Sequence, residues 1–266
     1  MKRPDTARAP IWAAAWVLLI ITRAPAAGAD ELLVAAAVSL REPLLAIARR
    51  YEASHSGDRI TATFGASSML GAQIRAGARL DVFLSADERI VRELAETGHV
   101  VAASAFALAR NRLVVIRAED STLRGTTPAE LFGPDLRRIA IPGLAVPLGR
   151  YAREWLAERG QLEGLKRRLV VTEHARATLA AVELGHADLA IVYATDARLA
   201  RSAKLAYAIP DCEQPEILYT AVRVSGSSQL RAANDFLDFL RSSSAQARLL
   251  EAGFVAPPKT RARADR

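Results

Sequence analysis

Residues 32–52 read LLVAAAVSLREPLLAIARRYE, and this stretch joins a buried strand to a helix. Its first seven residues are apolar without alternation, which is typical of a strand covered on both faces of a parallel sheet. Ser39 and Glu42 have the spacing of a capping box, and Pro43 follows in the first helical turn. Apolar residues then recur at helical spacing up to Tyr51. The stretch therefore predicts a strand–helix unit.

Strand and helix alternate in the same way along most of the chain. Ser67 or Ser68 is predicted to cap a second helix, and Asp87 is predicted to cap a third. Such alternation predicts an α/β protein with mainly parallel sheets flanked by helices. Strands are predicted at residues 32–38, 59–64, 81–84, 138–141, 169–172, 188–192 and 217–224, and later helices at residues 147–159, 175–184, 196–200, 228–240 and 245–252.

The alternation of strand and helix is interrupted after residue 100, where extended segments replace the strand–helix units. We predict a protein of two lobes joined by two crossover segments, near residues 106–112 and 217–221. The first lobe is expected to be discontinuous, with residues 30–107 and 222–266. The second lobe, residues 108–221, is inserted into it.

The N-terminus has the pattern of a secretory signal peptide. Lys2, Arg3 and Arg8 precede the apolar run of residues 11–22, and small residues lead up to Ala29. The run is shorter than the roughly 20 residues that a membrane span needs. We therefore predict a cleavable signal peptide over residues 1–29 and a periplasmic mature protein.

Charge and cysteine content exclude several classes of protein. The net charge is +7, but residues 1–29 and residues 259–266 each contribute +3, so the part between them is nearly neutral. A nearly neutral body gives no basic surface for nucleic acid. Cys212 is the only cysteine, so neither an internal disulfide nor an N-terminal lipid anchor is expected. A monomer is the default expectation.

No catalytic motif is present in the sequence. The four histidines have no metal-site spacing, and there is no nucleophile elbow, P-loop or dinucleotide fingerprint. His174 is the one histidine near a predicted helix start, and we expect it to be a solvent-facing turn residue. Ser39 or Ser67 as the nucleophile of a hydrolase is a remote alternative, because neither has a recognisable base. We expect no enzyme activity and no cofactor.

The beginnings of the predicted helices are more informative about function than the search for catalytic motifs. In an open α/β sheet, ligands lie beyond the carboxyl ends of the strands, where helices present free N–H groups and the positive ends of their dipoles. Neutral donors of this kind suit a small dianion. The candidate donors are the hydroxyls of Ser39, Ser67 and Tyr193 and the backbone N–H groups near Leu148 and Ala175.

Three segments carry a resemblance to a known family. Besides residues 32–52, they are FGASSMLGAQIRAGARLDVFLSAD at residues 64–87 and LAIVYATDA at residues 189–197. Over nearly all of its mature length the chain resembles the periplasmic molybdate-binding proteins of ABC transporters. The resemblance implies a type II binding-protein fold, molybdate or tungstate as ligand in the cleft between lobes, and an ABC permease of the inner membrane as partner.

The resemblance also implies a set of ligand-binding residues, which contact the oxyanion and do not ligate the metal atom directly. They are Ser39, Ser67, Leu148, Ala175 and Tyr193, with backbone contacts at Leu148 and Ala175. Leu148 and Ala175 differ from the residues usual in the family. The segment of residues 141–147 is one residue longer than the common pattern of the family. Another tetrahedral oxyanion, such as sulfate, thiosulfate or phosphate, is the alternative ligand.

Overall fold

The computed structural model describes residues 30–258, so the predicted signal peptide and the basic tail from residue 259 lie outside it. Two five-stranded sheets, each flanked by helices, form the two lobes. This confirms the predicted α/β fold with two lobes. Within the described residues, no helix is long and apolar enough to cross a membrane.

The first sheet has the strand order β2-β1-β3-β10-β4. Strands β1, β2 and β3 pair in parallel, whereas β10 pairs antiparallel with both of its neighbours. All of β3 and most of β1 are buried, which explains their unbroken apolar sequences. The bounds are β1 Asp30–Ala37, β2 Asp58–Gly65, β3 Val82–Ser85, β4 Phe106–Arg110 and β10 Leu218–Arg223.

The second sheet repeats this plan in the order β7-β6-β8-β5-β9. Its strands β6, β7 and β8 pair in parallel, and β5 pairs antiparallel with β8 and β9. Both sheets are therefore mixed, each with three adjacent parallel strands. The bounds are β5 Leu113–Ala118, β6 Ile139–Pro142, β7 Leu169–Thr172, β8 Leu189–Tyr193 and β9 Ala203–Ala208.

Ten α-helices connect and cover the strands of the described residues. In the first lobe they are α1 Arg41–Ser54, α2 Ser67–Arg75, α3 Glu88–Glu96, α9 Leu230–Arg241 and α10 Ser243–Glu251. In the second lobe they are α4 Pro128–Leu131, α5 Pro147–Glu158, α6 Leu162–Leu165, α7 Ala175–Glu183 and α8 Ala194–Ala197.

The chain passes between the sheets twice. Asn111 and Arg112 separate β4 from β5, and residues 209–217 separate β9 from β10. The largest apolar cluster includes Leu84 from the first sheet and Ile141 from the second. The exact lobe boundaries expected from the sequence, at residues 107/108 and 221/222, stay a prediction.

Some predicted caps are confirmed and others are wrong. Asp87 Oδ1 accepts a hydrogen bond from Arg89 N–H and caps α3, as predicted. The capping box at Ser39 does not form, because Ser39 lies in the 3-10 turn Val38–Leu40 and α1 begins after it. Ser67 is the first residue of α2, whose N-cap is Ala66 without a side-chain cap. Both serines instead hydrogen-bond to groups on other elements.

Strand β9 was not expected from the sequence. Its residues AKLAYA are partly exposed without a regular alternation, and the strand lies at the edge of the second sheet. An edge strand has one paired side only, so its sequence is less constrained by burial.

Candidate functional site

A small cavity lies between the two lobes, at the carboxyl ends of their parallel strands. Its volume is about 20 Å³, which is enough for one or two water molecules. Both lobes contribute to its wall. The lining residues are Ala37, Val38, Gly65, Ala66, Ser67 and Ala86 from the first lobe, and Val146, Pro147, Leu148, His174, Ala175 and Tyr193 from the second.

Four of the five predicted site residues line this cavity, and each lies at or beside the beginning of a helix. Ser67 begins α2, Leu148 is the second residue of α5, Ala175 begins α7, and Tyr193 immediately precedes α8. The N–H groups of a first helical turn have no partner within the helix. Their dipoles make such positions favourable for an anion. The cavity is therefore surrounded by groups that stabilise negative charge.

The hydroxyl group of Ser67 is able to donate a hydrogen bond. Its side chain is buried, and its Oγ accepts a hydrogen bond of 2.9 Å from Ala86 N–H. A backbone N–H can only donate, so the Ser67 proton is not used in this contact. It remains available for an acceptor in the cavity.

Tyr193 has a buried hydroxyl with no hydrogen-bond partner among the described residues. Burial raises the pKa of Tyr193 well above its usual value, and the neighbouring Tyr219 contributes in the same direction. The hydroxyl therefore stays protonated and can donate. A buried polar group without a partner costs free energy, and a ligand oxygen in the cavity would remove that cost.

Ser39 is the predicted residue that does not line the cavity. It is buried directly after Ala37 and Val38, which do line it. Its Oγ lies 2.7 Å from the hydroxyl oxygen of Tyr219. The structure thus places Ser39 next to the cavity wall and gives it a partner that its local sequence did not indicate.

His174 was expected to face solvent, but the structure places it half-buried in the cavity wall. Its Nδ1 accepts a hydrogen bond of 3.1 Å from Ala177 N–H and caps α7. Nδ1 must therefore be unprotonated in this contact. A histidine at a predicted helix start was the only sequence signal for this position.

No Lys, Arg, Asp or Glu is among the described residues that line the cavity. Charged residues lie around it and connect the lobes. Arg150 Nη2 of α5 contacts Asp87 Oδ2 at 2.8 Å, and Arg176 of α7 contacts Glu42 of α1. Arg176 Nε also lies 2.8 Å from the fully buried carboxylate of Asp196. The cavity wall is neutral, and the ion pairs bridge its rim.

Gly149 allows α5 to begin next to the end of β6. A Cβ atom at this position would lie 2.3 Å from Gly143 O and 2.4 Å from Pro142 O. Arg153 Nη1 donates hydrogen bonds of 2.7 Å to Pro142 O and Gly149 O. These contacts fix the first turn of α5, which carries Leu148 and its backbone N–H.

Residues 30–258 contain no group of three or more His, Cys, Asp or Glu side chains that could hold a metal ion directly. Among the described residues, neither Ser39 nor Ser67 hydrogen-bonds to a histidine or a carboxylate. The arrangement places neutral hydrogen-bond donors at and beside the cavity between the lobes. This chemistry is suited to binding a small anion.

Known proteins share this fold and much of this sequence. The chain is 29% identical over 236 residues to the molybdate-binding protein ModA of Haemophilus influenzae, covering 86% of this chain and 92% of that protein. The periplasmic molybdate-binding protein of Azotobacter vinelandii superposes with a TM-score of 0.76 at 26% identity, covering 85% of this chain and 99% of that one.

The sulfate-binding protein SubI of Mycobacterium tuberculosis has a TM-score of 0.75 at 17% identity, covering 87% of this chain and 88% of that one, and shows a shared fold only. Together these neighbours confirm the predicted type II binding-protein fold. The family model of bacterial extracellular solute-binding proteins matches residues 32–255. The chain belongs to the bacterial extracellular solute-binding protein family.

Proposed function

We propose that this protein is the periplasmic substrate-binding component of a molybdate ABC importer, and that molybdate or tungstate binds in the cavity between its lobes. One observation carries the proposal: three helices of eight or more residues, α2, α5 and α7, begin at a cavity between the lobes that no charged side chain lines. The relatives that bear the name of molybdate-binding proteins cover most of the chain.

A neutral wall of donors suits a dianion for an energetic reason. A buried Lys or Arg would have to lose its own hydration before it could pair with the anion. Backbone N–H groups and hydroxyls are already oriented by the fold and cost less to bury. Each hydrogen bond to a charged oxygen contributes roughly 1.5–3 kcal/mol. A few such bonds from Ser67, Tyr193 and the N–H groups near Leu148 and Ala175 are sufficient for specific binding.

The proposal includes export, a partner and an oligomeric state. Residues 1–29 would direct export and be removed, which leaves Asp30 as the N-terminus of the periplasmic form. The ABC permease of the inner membrane would receive the anion. The protein would act as a monomer, without a cofactor and without chemistry on the ligand, and Leu148 and Ala175 would contribute their backbone N–H groups.

Isothermal titration of the protein from Asp30 onward tests this function. Molybdate and tungstate are expected to bind one-to-one, and sulfate and phosphate are expected to bind much more weakly or not at all. Preferential binding of sulfate or phosphate would contradict the molybdate assignment while leaving an oxyanion-binding role intact. Absence of binding by all four anions would refute the proposed site.

Ser67→Ala tests the position of the ligand. It is expected to weaken binding by roughly 1.5–3 kcal/mol, because the variant loses one hydrogen bond to a charged oxygen. Ser68→Ala is the matched control, since Ser68 is half-buried beside Ser67 but does not line the cavity. Equal affinities of the two variants would place the ligand elsewhere.

A further inference from the structure

Four buried polar side chains form a continuous set of hydrogen bonds behind the cavity. Ser39 Oγ lies 2.7 Å from Tyr219 Oη, and Asn111 Nδ2 lies 3.3 Å from the same Tyr219 oxygen. Asn111 Nδ2 is also 2.9 Å from Thr195 Oγ1. All four residues are 5% exposed or less. Buried polar groups that hydrogen-bond to one another restrict each other's orientation.

The direction of these hydrogen bonds follows from the orientation of Asn111. Its Oδ1 accepts a hydrogen bond of 2.9 Å from Arg112 N–H, so this end of the amide must be the oxygen. The other end is the NH₂ group, which can only donate. Its two hydrogens are directed to Thr195 Oγ1 and Tyr219 Oη.

The Tyr219 hydroxyl therefore accepts a hydrogen bond from Asn111, and its own proton needs an acceptor. Ser39 Oγ is the one remaining oxygen within hydrogen-bond distance of Tyr219 Oη among the described residues. If Ser39 donated instead, the Tyr219 proton would be left without an acceptor, whereas if Tyr219 donates, the unpaired proton is that of Ser39, which directly follows the cavity-lining Val38. Burial raises the pKa of Tyr219, so the hydroxyl keeps its proton. With an anion next to Ser39, the direction that leaves no proton unpaired is Asn111 to Tyr219 to Ser39.

A Ser39 oxygen that already accepts from Tyr219 has its own proton free. We propose that Asn111 and Tyr219 are positioning residues that hold Ser39 as a hydrogen-bond donor toward the oxyanion. The inference rests on the proposed function, because it assigns the free proton of Ser39 to the bound anion. It explains how Ser39 contributes although its hydroxyl is held by a tyrosine from a distant strand.

The position of Asn111 links this arrangement to the geometry of the two lobes. Asn111 lies on the first crossing between the sheets, Tyr219 is on β10 of the first lobe, and Thr195 is on α8 of the second lobe. The ring of Tyr219 also packs against Tyr193, with ring centroids 6.0 Å apart. The set is complete only when both lobes are placed as they are here.

Titration of Tyr219→Phe with molybdate tests the proposal, because the variant removes one oxygen and keeps the ring. We expect affinity to fall about five- to tenfold. Tyr51→Phe is the matched control: Tyr51 is equally buried in the first lobe and its hydroxyl donates a 2.7 Å hydrogen bond to Asp58. This control is expected to lower the melting temperature and leave affinity unchanged.

A double-mutant cycle separates positioning from general structural support. If Tyr219 acts through Ser39, then Ser39→Ala with Tyr219→Phe binds no more weakly than Ser39→Ala alone. Asn111→Asp keeps the acceptor for Arg112 N–H but replaces the donor to Tyr219, so it is expected to weaken binding as Tyr219→Phe does. Fully additive effects, or wild-type affinity in Tyr219→Phe, would overturn the proposal.

Failure of the proposed function gives a different result. In that case the wild-type protein binds neither molybdate nor tungstate, and the same cycle is measured with whichever of sulfate or phosphate it binds. A protein that binds none of these oxyanions would refute both the function and the role of Asn111 and Tyr219.

Discussion

Arg150 of the second lobe and Asp87 of the first lobe form an ion pair across the rim of the cavity, with Nη2 2.8 Å from Oδ2. Asp87 is nearly buried, and Arg150 is about one-quarter exposed. Burial raises the pKa of Asp87, and the guanidinium of Arg150 partly opposes that rise. Because the partners belong to different lobes, this contact stabilises the arrangement of the lobes in which Arg150 and Asp87 meet, which we call the closed form.

Arg150→Gln is expected to weaken molybdate binding by about 1 kcal/mol, since the closed form loses an ion pair that is only partly screened by solvent. Arg137→Gln is the control, because Arg137 pairs with Asp188 inside the second lobe. Titration calorimetry measures both affinities. Equal affinities in the two variants would show that the Asp87 contact has no part in closure.

The buried carboxylate of Asp196 makes stability depend on pH. Burial raises its pKa to about 7, Arg176 opposes the rise and Glu42 adds to it. The folded protein therefore holds this proton more strongly than the unfolded chain does. Stability from this group is greatest in acid and falls as pH increases from about 4 to about 7. Asp196→Asn is expected to flatten the pH dependence of the melting temperature between about pH 4 and about pH 7.

The pKa of Asp188 is shifted in the opposite direction to that of Asp196. Its partial burial raises the pKa, but hydrogen bonds from Arg138 N–H and Arg137 outweigh this and lower it overall. Asp188→Asn should therefore remove stability that is present at neutral pH and that wild-type protein loses in acid. An Asp196→Asn variant with the wild-type pH profile would contradict the assignment to Asp196.

Gly149→Ala is expected to destabilise the protein by about 1–3 kcal/mol, because its Cβ would overlap the carbonyl oxygens of Gly143 and Pro142. The displaced first turn of α5 should also weaken oxyanion binding. Gly164→Ala is the control, since no atom lies within 4 Å of a Cβ at that position. Thermal unfolding and titration measure the two effects, and equal melting temperatures would disprove the steric explanation.

Tyr193→Phe is expected to lower the affinity for molybdate without lowering the stability of the protein. The hydroxyl has no partner among the described residues, so its removal should leave the melting temperature unchanged or higher. Affinity for molybdate should fall roughly tenfold or more, because one hydrogen bond to a charged oxygen is lost. A variant that loses stability but keeps its affinity would place the Tyr193 hydroxyl outside the ligand site.

The sequence was most informative where a function depends on local structure. The helix starts at Leu148 and Ala175 follow from the alternation of strand and helix, and the structure places both at the cavity. Ser39 shows where local patterns fail. Its spacing to Glu42 suggested a cap, whereas its actual partner, Tyr219, is 180 residues away and could be identified only from the folded chain.

The same limitation applies to the second sheet. The buried strand β8 was evident from its apolar run, but the edge strand β9 has no burial pattern that distinguishes it from a loop. Pairing with β5 determines its conformation, and that pairing joins residues that are distant in sequence. Long-range contacts thus explain both the missed strand and the reassigned serine.

The division of the cavity wall between two lobes has a consequence for how an anion would leave. Ser67 belongs to one lobe, and Leu148, Ala175 and Tyr193 belong to the other. When the lobes separate, each half of the wall meets water, and neither half retains a full set of donors. Under the proposed function, release of the anion would then follow from separation of the two halves of the wall, without a chemical step on the ligand.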